Sequence, residues 1–193
     1  MKSVLISIQP YWVFLIIAKA MGWNIEKEKT VEVRKSYPKA NDWNKTVKMY
    51  CSKDKKSFAM IPKKYQPLMQ QFLGKVIGEF MCNKIDYWQN HYKTDVMHIA
   101  DMSSLSCVSI DDLLDYLGHY VDMKGVDKRL YAWHISDLVI YGKPKELSEF
   151  KKVNRPCWYA EMGISKRDCP ECQNKECFIQ KPPQSWCYVE VFR

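Results

Sequence analysis

The run Lys29-Thr30-Val31-Glu32-Val33-Arg34 restricts the fold more than any other stretch of the chain. Its β-branched residues favour extended backbone, in which alternate side chains point to opposite faces. Thr30, Glu32 and Arg34 then share a polar face, and Val31 and Val33 an apolar one. Strict alternation would put Lys29 with the valines, where an ammonium is expensive to bury, so the backbone bends before Thr30 or Lys29 sits at the strand mouth. Either way three ionisable groups converge at a strand entrance. An edge strand with solvated charges would carry the same residues.

The flanking pattern extends this reading. Val4, Ile6 and Ile8 alternate up to Pro10, as in a strand handing over to a helix with proline in its first turn. Tyr11 to Met21 is apolar almost all round and is expected to be buried. Thr46 to Cys51 alternates as a second strand, and Lys53 to Lys56 reads as a hairpin-like loop. Pro62 to Leu73 has helical spacing, and Lys75 to Ile85 reads as a long strand. Glu79, among apolar neighbours there, reaches an open end or pairs with a base such as Arg34 or Lys29. Asp86 to Ser106 has no clear period and reads as a loop; its His91 and His98 lack an acidic partner at helical spacing. Ser109-Ile110-Asp111-Asp112 starts a capped helix that Gly118 closes. Leu130 to Tyr141 reads as one closing strand, with Trp133 able to stack on a base and His134 to donate to one.

The order Ser3 to Pro10, an apolar helix, Lys29-x-x-Glu32-x-Arg34-Lys35, Gly74 to Phe80 and Ala132-Trp133-His134-Ile135 resembles the ASCH domain of the PUA-like superfamily. Members usually carry glycine shortly before the lysine; here Gly22 lies seven residues upstream. The resemblance implies an α+β fold, a PUA-like β-barrel with flanking helices over residues 1–150, which the apolar helix would plug at one end. Residues 151–193 would form a Cys-containing C-terminal extension whose terminal strand returns to the barrel. It further implies RNA or nucleotide binding, with Arg34, Lys35, Tyr37, Trp133 and His134 as nucleic-acid-binding residues. Small family members that deacetylate N4-acetylcytidine imply a second reading, an amidohydrolase acting on a modified nucleoside, with Lys29, Glu32 and Glu79 as its catalytic residues, Asp111 or Asp115 being alternatives to Glu79 as the distant carboxylate. Glu32 stands where those members carry threonine, so it would activate water as a general base instead of serving as a hydroxyl nucleophile.

Charge agrees with an anionic partner. Between Lys27 and Lys64 there are twelve Lys or Arg against four Asp or Glu, a surplus equal to the +8 of all 193 residues. Such a concentration attracts phosphates through counterion release, though a solubilising loop would carry it too. An apolar fraction of 47% supports a folded core. Cys51, Cys82 and Cys107 are scattered in apolar settings, as reduced thiols are. Ser7, Gln9 and Pro10 interrupt any signal-like run and Tyr11 to Ala18 is too short to span a bilayer, so the expectation is a cytoplasmic protein without a membrane partner. The tail is apolar-poor and needs a cross-link. Cys169-x-x-Cys172 with Cys177 offers three thiolates for a structural zinc, with Cys157 or Cys187 as the fourth, Cys187 being better placed to pack on the terminal strand; a second C-x-x-C is missing, and unligated thiols or a redox pair fit as well. A tail of this kind could also serve as an adaptor for a protein partner of unknown identity.

Overall fold

The computed structural model describes residues 2–38, 45–89, 97–118, 128–153, 162, 170–173 and 177–191. The chain forms two compact units. One comprises Met1–Phe14, Thr46–Glu79 and Val139–Arg193; the other comprises Leu15–Lys45 and Phe80–Leu138.

The strands of the first unit belong to a six-stranded sheet. In chain order they are β1 (Lys2–Ile8), β3 (Lys45–Cys51), β4 (Val76–Cys82), β7 (Ser136–Lys145), β8 (Phe150–Lys152) and β9 (Trp186–Val191), arranged as β7-β4-β3-β1-β9-β8. β1 pairs parallel with β3 and antiparallel with β9. Its side chains explain the central place: Val4, Leu5 and Ile6 are wholly buried, a continuous apolar run suited to a strand covered on both faces. Leu5, Val76, Phe150, Ile179 and Val189 form a core cluster on this sheet. The helix α1 (Pro10–Ile17) begins at the proline. The Tyr11 N–H donates to Ser57 Oγ at 3.0 Å, and the Phe14 ring lies 5.2 Å from that of Tyr65. Ser57 is on α2 (Lys55–Ala59), which replaces the expected hairpin-like loop because Asp54 caps it, accepting from the Ser57 N–H at 2.6 Å. The Pro62 to Leu73 segment is a short 3-10 turn followed by α3 (Gln66–Phe72).

In the second unit β2 (Val31–Arg34), β6 (Arg129–His134) and β5 (Ile85–Gln89) form a three-stranded sheet with β6 in the middle. Its apolar face, Val31, Val33, Trp88, Leu130 and Ala132, packs with Met102 of α4 (Ile99–Ser106) and Leu113 and Leu117 of α5 (Ile110–Leu117). α5 has the expected caps: Ser109 accepts from the Asp112 N–H, and Gly118 adopts φ +76°.

A closed barrel is therefore not what this sequence builds. The strands separate into two sheets, and in neither do the end strands pair with each other. β9 adds to the open side of β1, which extends one sheet, while β6 takes both β2 and β5 as partners and completes the other. The single strand expected from Leu130 to Tyr141 is two strands broken at Ile135, with Asp137 at φ +47°. No helix among the described residues is long and apolar enough to cross a membrane.

Candidate functional site

The charged hexapeptide folds onto itself. The Thr30 N–H donates to the Leu105 carbonyl and the Ile135 N–H to the Thr30 carbonyl, each at 2.9 Å, so the chain is anchored just before β2. Lys29 lies ahead of the strand, and its Nζ donates to the Ser106 carbonyl at 3.0 Å while standing 3.4 Å from Glu32 Oε2. Arg34 Nη2 lies 2.9 Å from Glu32 Oε1. A carboxylate thus bridges an ammonium and a guanidinium, and all three residues are buried, at 3%, 6% and 7% exposure for Lys29, Glu32 and Arg34. Burial pulls the Lys29 pKa below its ordinary value, against the opposing pull of the Glu32 carboxylate.

Strand register places the neighbours. Glu32 lies opposite Trp133, Arg34 opposite Tyr131, Tyr131 opposite Tyr87, and Gln89 opposite Arg129. Paired residues share a face, so the face away from the α4 and α5 helices carries Glu32, Arg34, Trp133, Tyr131, Tyr87, Gln89 and Arg129. It grades from closed to open. Trp133 is 1% exposed, whereas Tyr131 and Tyr87 are half-buried and Arg129 is exposed. Tyr37 adds a third ring, 4.6 Å from Tyr131, and Tyr87 lies 6.4 Å from Tyr131 on the other side. Arg129 stacks 4.9 Å over Tyr87 and its Nε donates to Gln89 Oε1 at 2.6 Å.

Lys29, Glu32 and Arg34 are thus brought together, with Trp133 on the same sheet face. Trp133 is too enclosed to present a ring to a ligand in this structure; the accessible rings are tyrosines. His134 faces the other way, its Nε2 2.8 Å from Asp86 Oδ2, which Lys84 Nζ also approaches to 2.7 Å. Lys35 is exposed, 4.6 Å above the ring of Tyr116 on α5. Burial raises the Tyr116 phenol pKa, with Arg34 opposing and Glu32 reinforcing, so the phenol lies within electrostatic reach of the triad. Tyr116, Tyr131 and the Ser106 carbonyl escape a sequence reading. Tyr131 alone had a signal, two positions from Trp133 on the same strand.

Glu79 belongs to the first unit, where its partners are neither Arg34 nor Lys29. Lys48 and Tyr141 both donate to Glu79 Oε2, Tyr141 at 2.6 Å, and Lys48 Nζ also donates to the Tyr141 hydroxyl at 3.3 Å. Burial tends to raise the Glu79 pKa, but these hydrogen bonds and the Lys48 charge prevail and lower it. Asp86 is lowered in the same way, its burial outweighed by Lys84 and His134. A lowered carboxyl pKa in the folded state stabilises the fold above the unfolded-state value, about 4, and that stability is lost as pH falls through the folded value. The expected result is that Glu79→Gln is less stable than the native chain at pH 7 and that the gap closes toward pH 3. Urea unfolding at the two pH values measures it; a gap independent of pH would contradict it.

Among the described cysteines Cys51, Cys82, Cys107 and Cys187 carry free thiols. Burial pushes the Cys51 thiol up to about 12 and Cys82 to about 11, so both are inert at neutral pH. Of the zinc candidates, Cys157 and Cys169 lie outside the described residues, as do His91 and residues 39–44 within the Lys27 to Lys64 segment. Cys172 falls on α6 (Pro170–Gln173) and Cys177 is buried. Among the described residues no three His, Cys, Asp or Glu side chains gather closely enough to hold a metal.

No protein-family model and no curated protein matches the chain. Solved structures do. The chain is similar to ASCH proteins. A tyrosine-to-phenylalanine variant of an ASCH protein from Zymomonas mobilis shares 15% identity at a TM-score of 0.48, over 100% of this chain and 91% of that one. A serine-to-alanine variant of ASCH from Zymomonas mobilis shares 14% at 0.49, over 99% and 88%. An ASCH structure from the same organism shares 16% at 0.42, over 99% and 87%.

Proposed function

We propose that this chain is an ASCH-type module that binds RNA or a nucleotide on the Glu32-bearing face of the three-stranded sheet. The observation that carries the reading is the row of rings Tyr37, Tyr131 and Tyr87, with Arg129 stacked at its open end. Aromatic rings in series accept unstacked bases, and exposed cations beside them meet the phosphates. At the closed end the buried Glu32 and Arg34 pair with each other and hold the strand edge that lies beside the rings. The burial of the triad fixes those groups before a ligand arrives, which reduces the ordering needed on binding.

Filter binding of single-stranded RNA between 50 and 200 mM salt tests this. Affinity is expected to fall steeply with salt, and Tyr37→Ala to weaken binding by roughly tenfold or more, the weight of one lost stacking contact. Arg129→Ala should lower the slope of log affinity against log salt by about one. Absence of salt-dependent binding to any RNA would remove the proposal.

One observation favours a second reading, an amidohydrolase. Lys29, whose pKa burial lowers, stands beside a carboxylate that would activate water and a guanidinium that would hold an anion. On this reading N4-acetylcytidine is hydrolysed to acetate and cytidine, and Lys29→Met abolishes the release. No acetate from the native protein, beside an active control enzyme, would exclude it.

A further inference from the structure

We infer that the first unit holds a separate binding site for small planar aromatic anions, in a cleft at the β9 end of its sheet. The cleft has a volume of about 600 Å³, within the range of small-ligand sites. β8 pairs with β9 at Val189, Glu190 and Val191, and just past β8 the Val153 N–H donates to the Tyr188 carbonyl at 3.4 Å. Trp186 and Tyr188 line the cleft, their rings 5.5 Å apart at 80°. Ile179 and Pro183 supply an apolar wall. That wall is fixed to β8: the Ile179 N–H donates to the Phe150 carbonyl at 2.9 Å, and the Lys152 N–H to the Cys177 carbonyl at 3.0 Å.

The charge at the cleft decides the ligand class. Lys152 and Lys181 both line it, both are exposed, and among the described residues neither has a carboxylate partner. Among the described residues no acidic side chain lines the cleft. Two uncompensated ammonium groups beside a tryptophan, a tyrosine and a proline select a molecule with a flat apolar body and an anionic group at its edge. Cations alone would hold phosphate, and rings alone a neutral aromatic; the combination requires both. A phosphorylated nucleoside and an aryl carboxylate share that chemistry. The site uses none of the residues assigned above to RNA.

Calorimetric titration of the full chain with adenosine 5′-monophosphate, 2-naphthoate, adenosine and inorganic phosphate tests the inference. At least one of the two aromatic anions should saturate, with adenosine and phosphate each binding at least about tenfold more weakly. Saturation by the nucleotide alone identifies the phosphorylated source, and by naphthoate alone the carboxylate source. Lys152→Ala combined with Lys181→Ala, two exposed positions, should weaken the aromatic anion by about tenfold. A chain carrying both Tyr37→Ala and Arg129→Ala, which disables the face assigned above to RNA or a nucleotide, should still be saturated by the aromatic anion, and this separates the cleft from that reading. Saturation by neither anion, or unchanged affinity in the double-lysine variant, would overturn it.

Discussion

Glu32→Ala is expected to destabilise the fold by about 3–5 kcal/mol, the consequence of removing the carboxylate that two buried cations share. Lys29 and Arg34 both lean on this carboxylate, and neither is open to water. Replacing all three together, as Lys29→Met, Glu32→Leu and Arg34→Met, should lose far less, because the desolvation penalty leaves with the charges. Urea denaturation of the two variants beside the native chain gives the comparison. A triple variant as unstable as Glu32→Ala would mean that the side chains matter through shape alone. If the triad serves binding, the triple variant folds and yet loses RNA, so stability and function separate at one site.

Gly78→Ala is the second change with a large expected effect. Gly78 lies buried in β4, and a Cβ built on it would stand 2.3 Å from the Val139 carbonyl oxygen and 3.2 Å from the Ile140 Cα, both backbone atoms of β7. Backbone cannot swing aside as a lysine tip can, so the strand itself must shift, at about 3 kcal/mol. A Cβ added to Gly142, in the same β7, would meet nothing within 4 Å, and alanine there should change stability by less than about 1 kcal/mol. Thermal unfolding of both variants checks the contrast. Displacement of β7 also separates Tyr141 from Glu79, so the Gly78 variant should lose the acid sensitivity assigned to that carboxylate.

Local periodicity made several features legible. Glu32 and Arg34 share a face because a strand repeats every two residues, and Pro10, Ser109 and Gly118 mark helix ends through their own backbone chemistry. The missed features depend on partners remote in sequence. α4 was hidden because Ile99 to Ser106 is serine-rich and buries only Met102 and Ser106, too thin an apolar stripe to stand out. The break between β6 and β7 turns on the left-handed conformation of Asp137, which alternation cannot reveal. Glu79 was expected to seek Arg34 or Lys29, but the ammonium that meets it comes from Lys48 on β3. The two-sheet arrangement lies at the same level: the β-strand pattern is written residue by residue, while the choice of neighbour is settled by assembly.

The place of β1 between β3 and β9 has a consequence for biosynthesis. β1 is translated well before its antiparallel neighbour β9, from which most of the described chain separates it. At ordinary elongation speeds the nascent chain waits about 10–40 s with one edge of an apolar strand unoccupied. During that interval a neighbouring polysome can supply a competing strand, so the yield of correctly assembled protein should depend on translation rate and on chaperones that shield that edge.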